Sequence, residues 1–210
     1  MNWAIPCVIA CLAVQPAWSQ ENRDRHLAER AHQDREIVYF LQQPESHSFD
    51  LYHDYTDTRP DASRYINVVR PGSRVSNPSA VVLDTGEKLE ALTLEGEQIT
   101  EAGIDIGGPV SAESEVVVFP FDSPKSGGSI RLRTTETYTD AGRYYEKDGE
   151  LVWDRSFGRS RNAMVLPAGW TLTNCSIPAT ISETDDGRIR LDFVNPRPDL
   201  IDVLVTARRR

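Results

Sequence analysis

The 210-residue sequence predicts an all-β fold, an antiparallel β-sandwich preceded by a signal peptide and a short helical or disordered spacer. Three observations carry this. Short runs dense in β-branched and aromatic residues recur along the chain, with Gly, Pro, Asn or Asp between most of them. Apolar and polar residues alternate within several runs, as in Ile189, Leu191 and Phe193 against Arg188, Arg190 and Asp192, so that one face of each strand is buried and the other wet. Two glycine turns join neighbouring runs: Lys147-Asp148-Gly149 links RYYE to ELVWD, and Asp185-Asp186-Gly187 links ATISE to RIRLDF. Glycine supplies the positive φ that tight hairpins need.

From the start, Met1 to Ser19 has an apolar run from Ala4 to Val14, a break at Pro16, and small residues Ala17 and Ser19 before a cleavage point, the pattern of a secretory signal. The run is shorter than the roughly 20 residues a membrane span needs. The expectation is export to the periplasm, cell surface or medium of a bacterium, with no transmembrane segment. Val8-Ile9-Ala10-Cys11 also has the form of a lipobox, which leaves a lipid anchor on Cys11 as the alternative. Residues 20–36 are charged; Leu27, Ala31, Asp34, Val38 and Leu41 fall near one helical stripe, which predicts a short helix from about Arg23 to Asp34. Residues 37–210 form the sandwich.

Strands are expected at Ile37–Leu41, Phe49–Tyr55, Tyr65–Val69, Ala80–Leu83, Leu89–Leu94, Glu115–Phe121 and Ser129–Tyr138. More follow at Tyr144–Glu146, Glu150–Asp154, Ala163–Leu166, Trp170–Ile177, Arg188–Val194 and Ile201–Thr206. Arg131 and Arg133 alternate with Ile130 and Leu132, as Arg188 and Arg190 do with their apolar neighbours, so these four arginines read as solvent-facing.

The stretch HSFDLYHDY puts two of the four histidines among acidic residues. As a strand it separates the His47 and His53 backbones by roughly 20 Å, and Asp50 and Asp54 by about 13 Å, at the usual rise per residue. Zinc ligands lie about 2 Å from the ion, so one metal cannot take both histidines, and no metal site is expected. The histidines are read as local hydrogen-bonding partners at the ends of a half-buried strand. A metal would require His53 to meet Asp57 or Asp61 from the following loop.

The passage EIVYFLQQPESHSFDLYHDYT resembles the opening β-hairpin of the N-terminal β-rich domain of gluzincin aminopeptidases, the glycyl type in particular, where an apolar strand, a proline turn and an H-x-F strand occur together. SGGSIRLRTTETYTD resembles a later strand of such domains. The resemblance implies a β-rich domain of shared ancestry without its catalytic partner. It does not bring the zinc chemistry with it, because that needs H-E-x-x-H, and the four histidines here open HLAER, HQDRE, HSFDL and HDYTD.

Other chemistries are missing too. The sequence has no G-x-S-x-G, P-loop, dinucleotide fingerprint or C-x-x-C after the signal, and no cofactor is expected. Cys7 and Cys11 lie in the signal, which leaves Cys175 without a disulfide partner and reads it as a buried structural thiol. A net charge of −9 excludes nucleic acid as the expected partner, and the terminal Arg208-Arg209-Arg210 reads as a solvated tail.

What remains is the aromatic and arginine density between Tyr138 and Trp170. The binding residues expected are Trp153, Arg155, Arg159, Arg161 and Trp170, flanked by Tyr144 and Tyr145, with rings to stack on a glycan or anchor a protein partner and arginines to hydrogen-bond it. The function read is a non-catalytic binding or accessory domain. Two alternatives stand beside it: a hydrolase of envelope polymer using His53 with Asp54 or a carboxylate pair, and a purely structural domain in which Trp153 and Trp170 are both buried. A pocket joining His53 to carboxylates of other strands would favour the first, and an exposed flat aromatic strip the binder.

Overall fold

The computed structural model describes residues 35–125, 127–197 and 199–210. The signal, the lipobox cysteine and the helix expected at Arg23 to Asp34 lie outside the described residues. The chain opens with a hairpin, β1 (Glu36–Leu41) and β2 (Ser48–Asp57), joined by a single 3-10 turn at Pro44–Ser46. His47 closes this turn in the left-handed region at φ 53°, so it caps the turn instead of opening the strand. β3 (Arg64–Val68), β4 (Arg74–Val82), β5 (Lys88–Leu89) and β6 (Leu92–Glu95) follow, then a short helix, α1 (Glu97–Glu101), and β7 (Glu115–Pro120). The rest is β8 (Ile130–Thr139), β9 (Tyr144–Lys147), β10 (Glu150–Phe157), β11 (Arg161–Val165), β12 (Trp170–Cys175), β13 (Thr180–Glu183), β14 (Ile189–Val194) and β15 (Ile201–Arg209).

These strands make three sheets. The largest runs β13-β14-β11-β1-β2-β8-β4-β5, a second β12-β15-β10-β9, and a third β3-β7-β6. The architecture is all-β and sandwich-like, as the sequence predicts. The expectation of purely antiparallel pairing needs one correction: β1 and β11 pair in parallel, with Ile37 opposite Asn162 and Tyr39 opposite Met164. A parallel neighbour requires a long crossover, and here the other strands between the two supply it. Leu89–Leu94, expected as one strand, breaks after Leu89, because β5 belongs to the large sheet and β6 to the small one. The helix α1 was not expected at all. It is a single turn and a half, seated on Ile99, which is fully buried.

Both hairpins form as read. Asp148 and Gly149 have φ of 54° and 77°, the two positive values of a mirror-image hairpin turn, and Gly187 sits at 76°.

Strand alternation gives the large sheet one strongly buried face. On β2 it carries Phe49, Leu51, His53, Tyr55 and Asp57, and on β8 Tyr138, Glu136, Thr134 and Leu132. Both smaller sheets cover this face. Over its aromatic end, Trp153 of β10 meets Tyr39 and Phe49 edge-on at 5.3 and 6.5 Å, and Phe157 packs on Phe193 at 5.2 Å. Over the other end lies the three-stranded sheet, with Tyr65 of β3 against His53 and Phe119. No described helix is long and apolar enough to cross a membrane.

Candidate functional site

Where the three-stranded sheet meets β10, the sandwich is not filled. A half-open cavity of about 180 Å³ lies there, lined from the large sheet by Tyr39, Leu51, His53, Thr134, Glu136 and Tyr138. From the opposite side come Tyr65 and Asn67 of β3, Arg70 just after it, Arg155 of β10, and Arg159 from the connection into β11. The register explains the juxtaposition. Leu51 pairs with Glu136 and His53 with Thr134, so His53 and Glu136 are diagonal neighbours on one face, their Cβ atoms roughly 7 Å apart.

His53 is 3% and Glu136 5% exposed, which makes each hydrogen bond count. The His53 Nδ1 lies 2.7 Å from the Tyr65 hydroxyl, while Nε2 has no protein partner. Asn67 Nδ2 donates to Glu136 Oε2 at 2.7 Å and to the Tyr138 hydroxyl at 2.8 Å, while Glu136 Oε1 has no partner. Arg70 Nη1 is a third buried atom without one. Arg155 is held by Asp140, Nη1 to Oδ2 at 3.1 Å, and Asp140 also accepts from Ser73 Oγ at 3.0 Å. The Arg155 guanidinium stands 5.1 Å from the centre of the Phe49 ring.

Burial and charge set the protonation states. Desolvation, with Arg159 and Arg35 nearby, lowers the His53 pKa to about 3, so the imidazole is neutral at neutral pH. Burial raises Glu136 to about 7, against the lowering hydrogen bond from Asn67. Tyr65 and Tyr138 are pushed upward by burial and stay protonated.

The sequence-predicted residues fall into three groups. Arg155 and Arg159 line this cavity. Trp153, Trp170 and Tyr144 are 0%, 1% and 0% exposed, core side chains whose rings meet protein on every side. Trp170 Nε1 donates to Gln43 Oε1 at 2.9 Å, and the Tyr144 hydroxyl donates to the Gln42 carbonyl. A ring at zero exposure cannot stack on a ligand, so the expected aromatic strip is not present at these three positions. Arg161 is exposed at the start of β11, and Tyr145 is half-buried on the face of β9 opposite Tyr144. Neither reaches the cavity.

The histidine readings also change. Neither partner is local: His47 Nδ1 contacts the Tyr144 carbonyl at 2.8 Å, and His53 lies in the middle of its strand, deeply buried. Asp54 is on the outer face, held by Arg133 at 2.6 and 2.7 Å, and cannot join His53. Asp57 is bound by Tyr55 and Arg59, which with burial opposing them bring its pKa to about 2. Among the described residues no group of three or more His, Cys, Asp or Glu side chains is placed to hold a metal ion. Cys175 is half-buried, not buried, with Sγ donating to the Ile177 carbonyl at 3.1 Å.

Glu136, Asn67, Tyr65 and Arg70 were missed. For Glu136 the signal was there: in IRLRTTETYT it falls on the same alternate positions as Ile130, Leu132 and Tyr138, an acidic residue in a buried register. For Asn67 and Arg70 no such signal exists.

No protein-family model and no curated protein matches this chain. Solved structures do. The M1 zinc metallopeptidase from Deinococcus radiodurans is similar at 15% identity and a TM-score of 0.47, over 81% of this chain and 41% of the peptidase. A mutant from the same organism bound to a Tyr-Ser-Ala substrate is similar at 16% identity and 0.47, over the same shares. A two-domain M1 zinc metallopeptidase mutant bound to L-tryptophan is similar at 15% and 0.46. This is a weak resemblance, at low identity, to the N-terminal domain of such peptidases. The chain spans 41% of their length.

Proposed function

We propose that this chain is an exported, non-catalytic binding domain whose ligand enters the cavity between β3 and β10. The observation that supports it is the set of three buried polar atoms on residues lining the cavity, His53 Nε2 and Glu136 Oε1 from the large sheet and Arg70 Nη1 from the opposite side, none with a protein partner. Each such atom costs about 1–3 kcal/mol when left unsatisfied, and a ligand that met them would recover part of that. Export is supported by the apolar run from Ala4 to Val14 and the small residues at Ala17 and Ser19. Arg155 and Arg159 keep the binding role read for them, now as cavity groups instead of parts of an aromatic strip.

One observation favours hydrolysis as a second reading: His53 shares the cavity with a carboxylate from another strand, Glu136. Against it, an imidazole with a pKa of about 3 is too weak a base to take a proton at neutral pH.

Thermal unfolding of the full chain against soluble oligosaccharides, short peptides and small organic acids tests both. A ligand at a hundred times its Kd adds about 2.7 kcal/mol, a rise of roughly 5–10 °C for a chain of this size. The expected result is a shift from one class, lost in Asn67→Leu, with the ligand recovered intact by mass spectrometry. A cleaved ligand would establish the hydrolase reading, and the absence of any shift would remove the binding one.

A further inference from the structure

The cavity has unbalanced charge. Arg155 has its carboxylate in Asp140, but among the described residues none lies within ion-pair distance of Arg70 or Arg159. The only carboxylate among its described lining residues is Glu136. Behind this wall a further guanidinium, Arg35, sits 4.5 Å over the Tyr55 ring and adds positive field at His53. Asp140 and Asp154 act on Arg70 from outside the lining, but in a chain of net charge −9 the lining itself holds three arginines against one carboxylate, facing a half-open space.

The uncharged part of the wall is equally specific. Tyr65 remains a phenol, and when its hydroxyl donates to His53 Nδ1 the neutral imidazole carries its proton on Nε2 as a free donor. When ionised, Glu136 has one oxygen occupied by Asn67 and the other an open acceptor. A donor and an acceptor on diagonal positions of adjacent strands are what a single hydroxyl satisfies, since it gives one hydrogen bond and takes another. An ammonium group could serve Glu136 but not accept from the imidazole. The space of about 180 Å³ equals roughly six waters.

Resting on the reading of this cavity as a ligand site, we infer that it takes a small hydroxycarboxylic acid, the carboxylate against Arg70 and Arg159 and the hydroxyl between His53 Nε2 and Glu136 Oε1. Arg159 comes from the connection between β10 and β11 and Arg70 from just after β3, and both line the cavity.

Titration calorimetry of the full chain with lactate, propionate, lactamide, alanine and inorganic phosphate tests this. Lactate is expected to bind. Propionate, which lacks the hydroxyl, and lactamide, which lacks the charge, should each be weaker by about tenfold or more, the value of one charge-assisted hydrogen bond. Arg70→Gln and Arg159→Gln should each weaken lactate by a similar factor. Should either variant fail to fold, the comparison of lactate with lactamide on the unaltered chain decides the charge. Equal binding of lactate and propionate, or of lactate and lactamide, overturns the hydroxy-acid assignment while leaving a ligand pocket in place. Tighter binding of alanine or phosphate overturns it in favour of those chemistries. If no probe binds and the broader panel also gives no thermal shift, both the assignment and the binding reading fall together.

Discussion

Two ends of one sheet face carry opposite chemistry. Under the four-stranded sheet, Phe49 is fully buried among Tyr39, Tyr138, Tyr144 and Trp153, rings 5.8 to 6.5 Å apart in stacked and edge-on contacts. Four residues further along the same strand, under the three-stranded sheet, His53 has polar neighbours and an unfilled space. Both positions obey the same alternation and are equally hidden from water. What differs is the covering layer. β10 and β15 present Trp153, Val203 and Val205 to the sheet, whereas β3 presents Tyr65 and Asn67. Burial alone therefore does not decide which end is rigid core and which is a site; the hydrogen-bonding capacity of the opposing sheet does.

The largest effect should come from the dry end. Phe49→Ala should destabilise the protein by about 3–5 kcal/mol in urea unfolding, the usual cost of deleting a fully buried ring. A loss of less than about 1 kcal/mol would mean that this end is as loosely packed as the other.

At the polar end the effect appears in the pH dependence. His53 binds a proton less readily folded (about 3) than unfolded (6.5), so its contribution to stability rises with pH across that window. Glu136 binds a proton more readily folded (about 7) than unfolded (4.5), so its contribution falls as pH rises from 4.5 to 7. The two oppose each other between pH 4.5 and 6.5. Glu136→Gln should uncover the His53 limb, a gain on the order of 3 kcal/mol as pH rises through that interval, and His53→Gln should uncover the opposite slope. Parallel profiles for the two variants would show that the groups do not titrate as a buried pair of this kind.

The smallest effect belongs to the outer face. Arg133 and Asp54 form a close pair at 2.6 Å, but their side chains are 40% and 24% exposed. Arg133→Ala should cost less than about 1 kcal/mol, less still in high salt. A larger loss would indicate that the Arg133 stack on Tyr52, 4.3 Å to the ring centre, shields a real interface.

Much of this was readable residue by residue. Alternation in RIRLDF and IRLRTTETYT, the Asp-Gly turns and the apolar EIVYFL opening determined the all-β class, most strand positions and which face of each strand turns inward, because these follow from backbone geometry with a period of two. The outer-face arginines were legible for the same reason. Tryptophan and tyrosine were not: Trp153, Trp170 and Tyr144 have the composition of a binding surface and the position of a core, and periodicity cannot rank one buried-capable face above another. Only the tertiary structure decided that Asn67 would reach across to Glu136 and Tyr138, that Arg70 and Arg159 would flank one opening, and that β1 would pair in parallel with β11. Those contacts join residues roughly 70 to 125 positions apart, and no local pattern encodes them: the β1–β11 pair forms when distant strands meet in one sheet, and the Asn67 contacts form when a second sheet closes over its face.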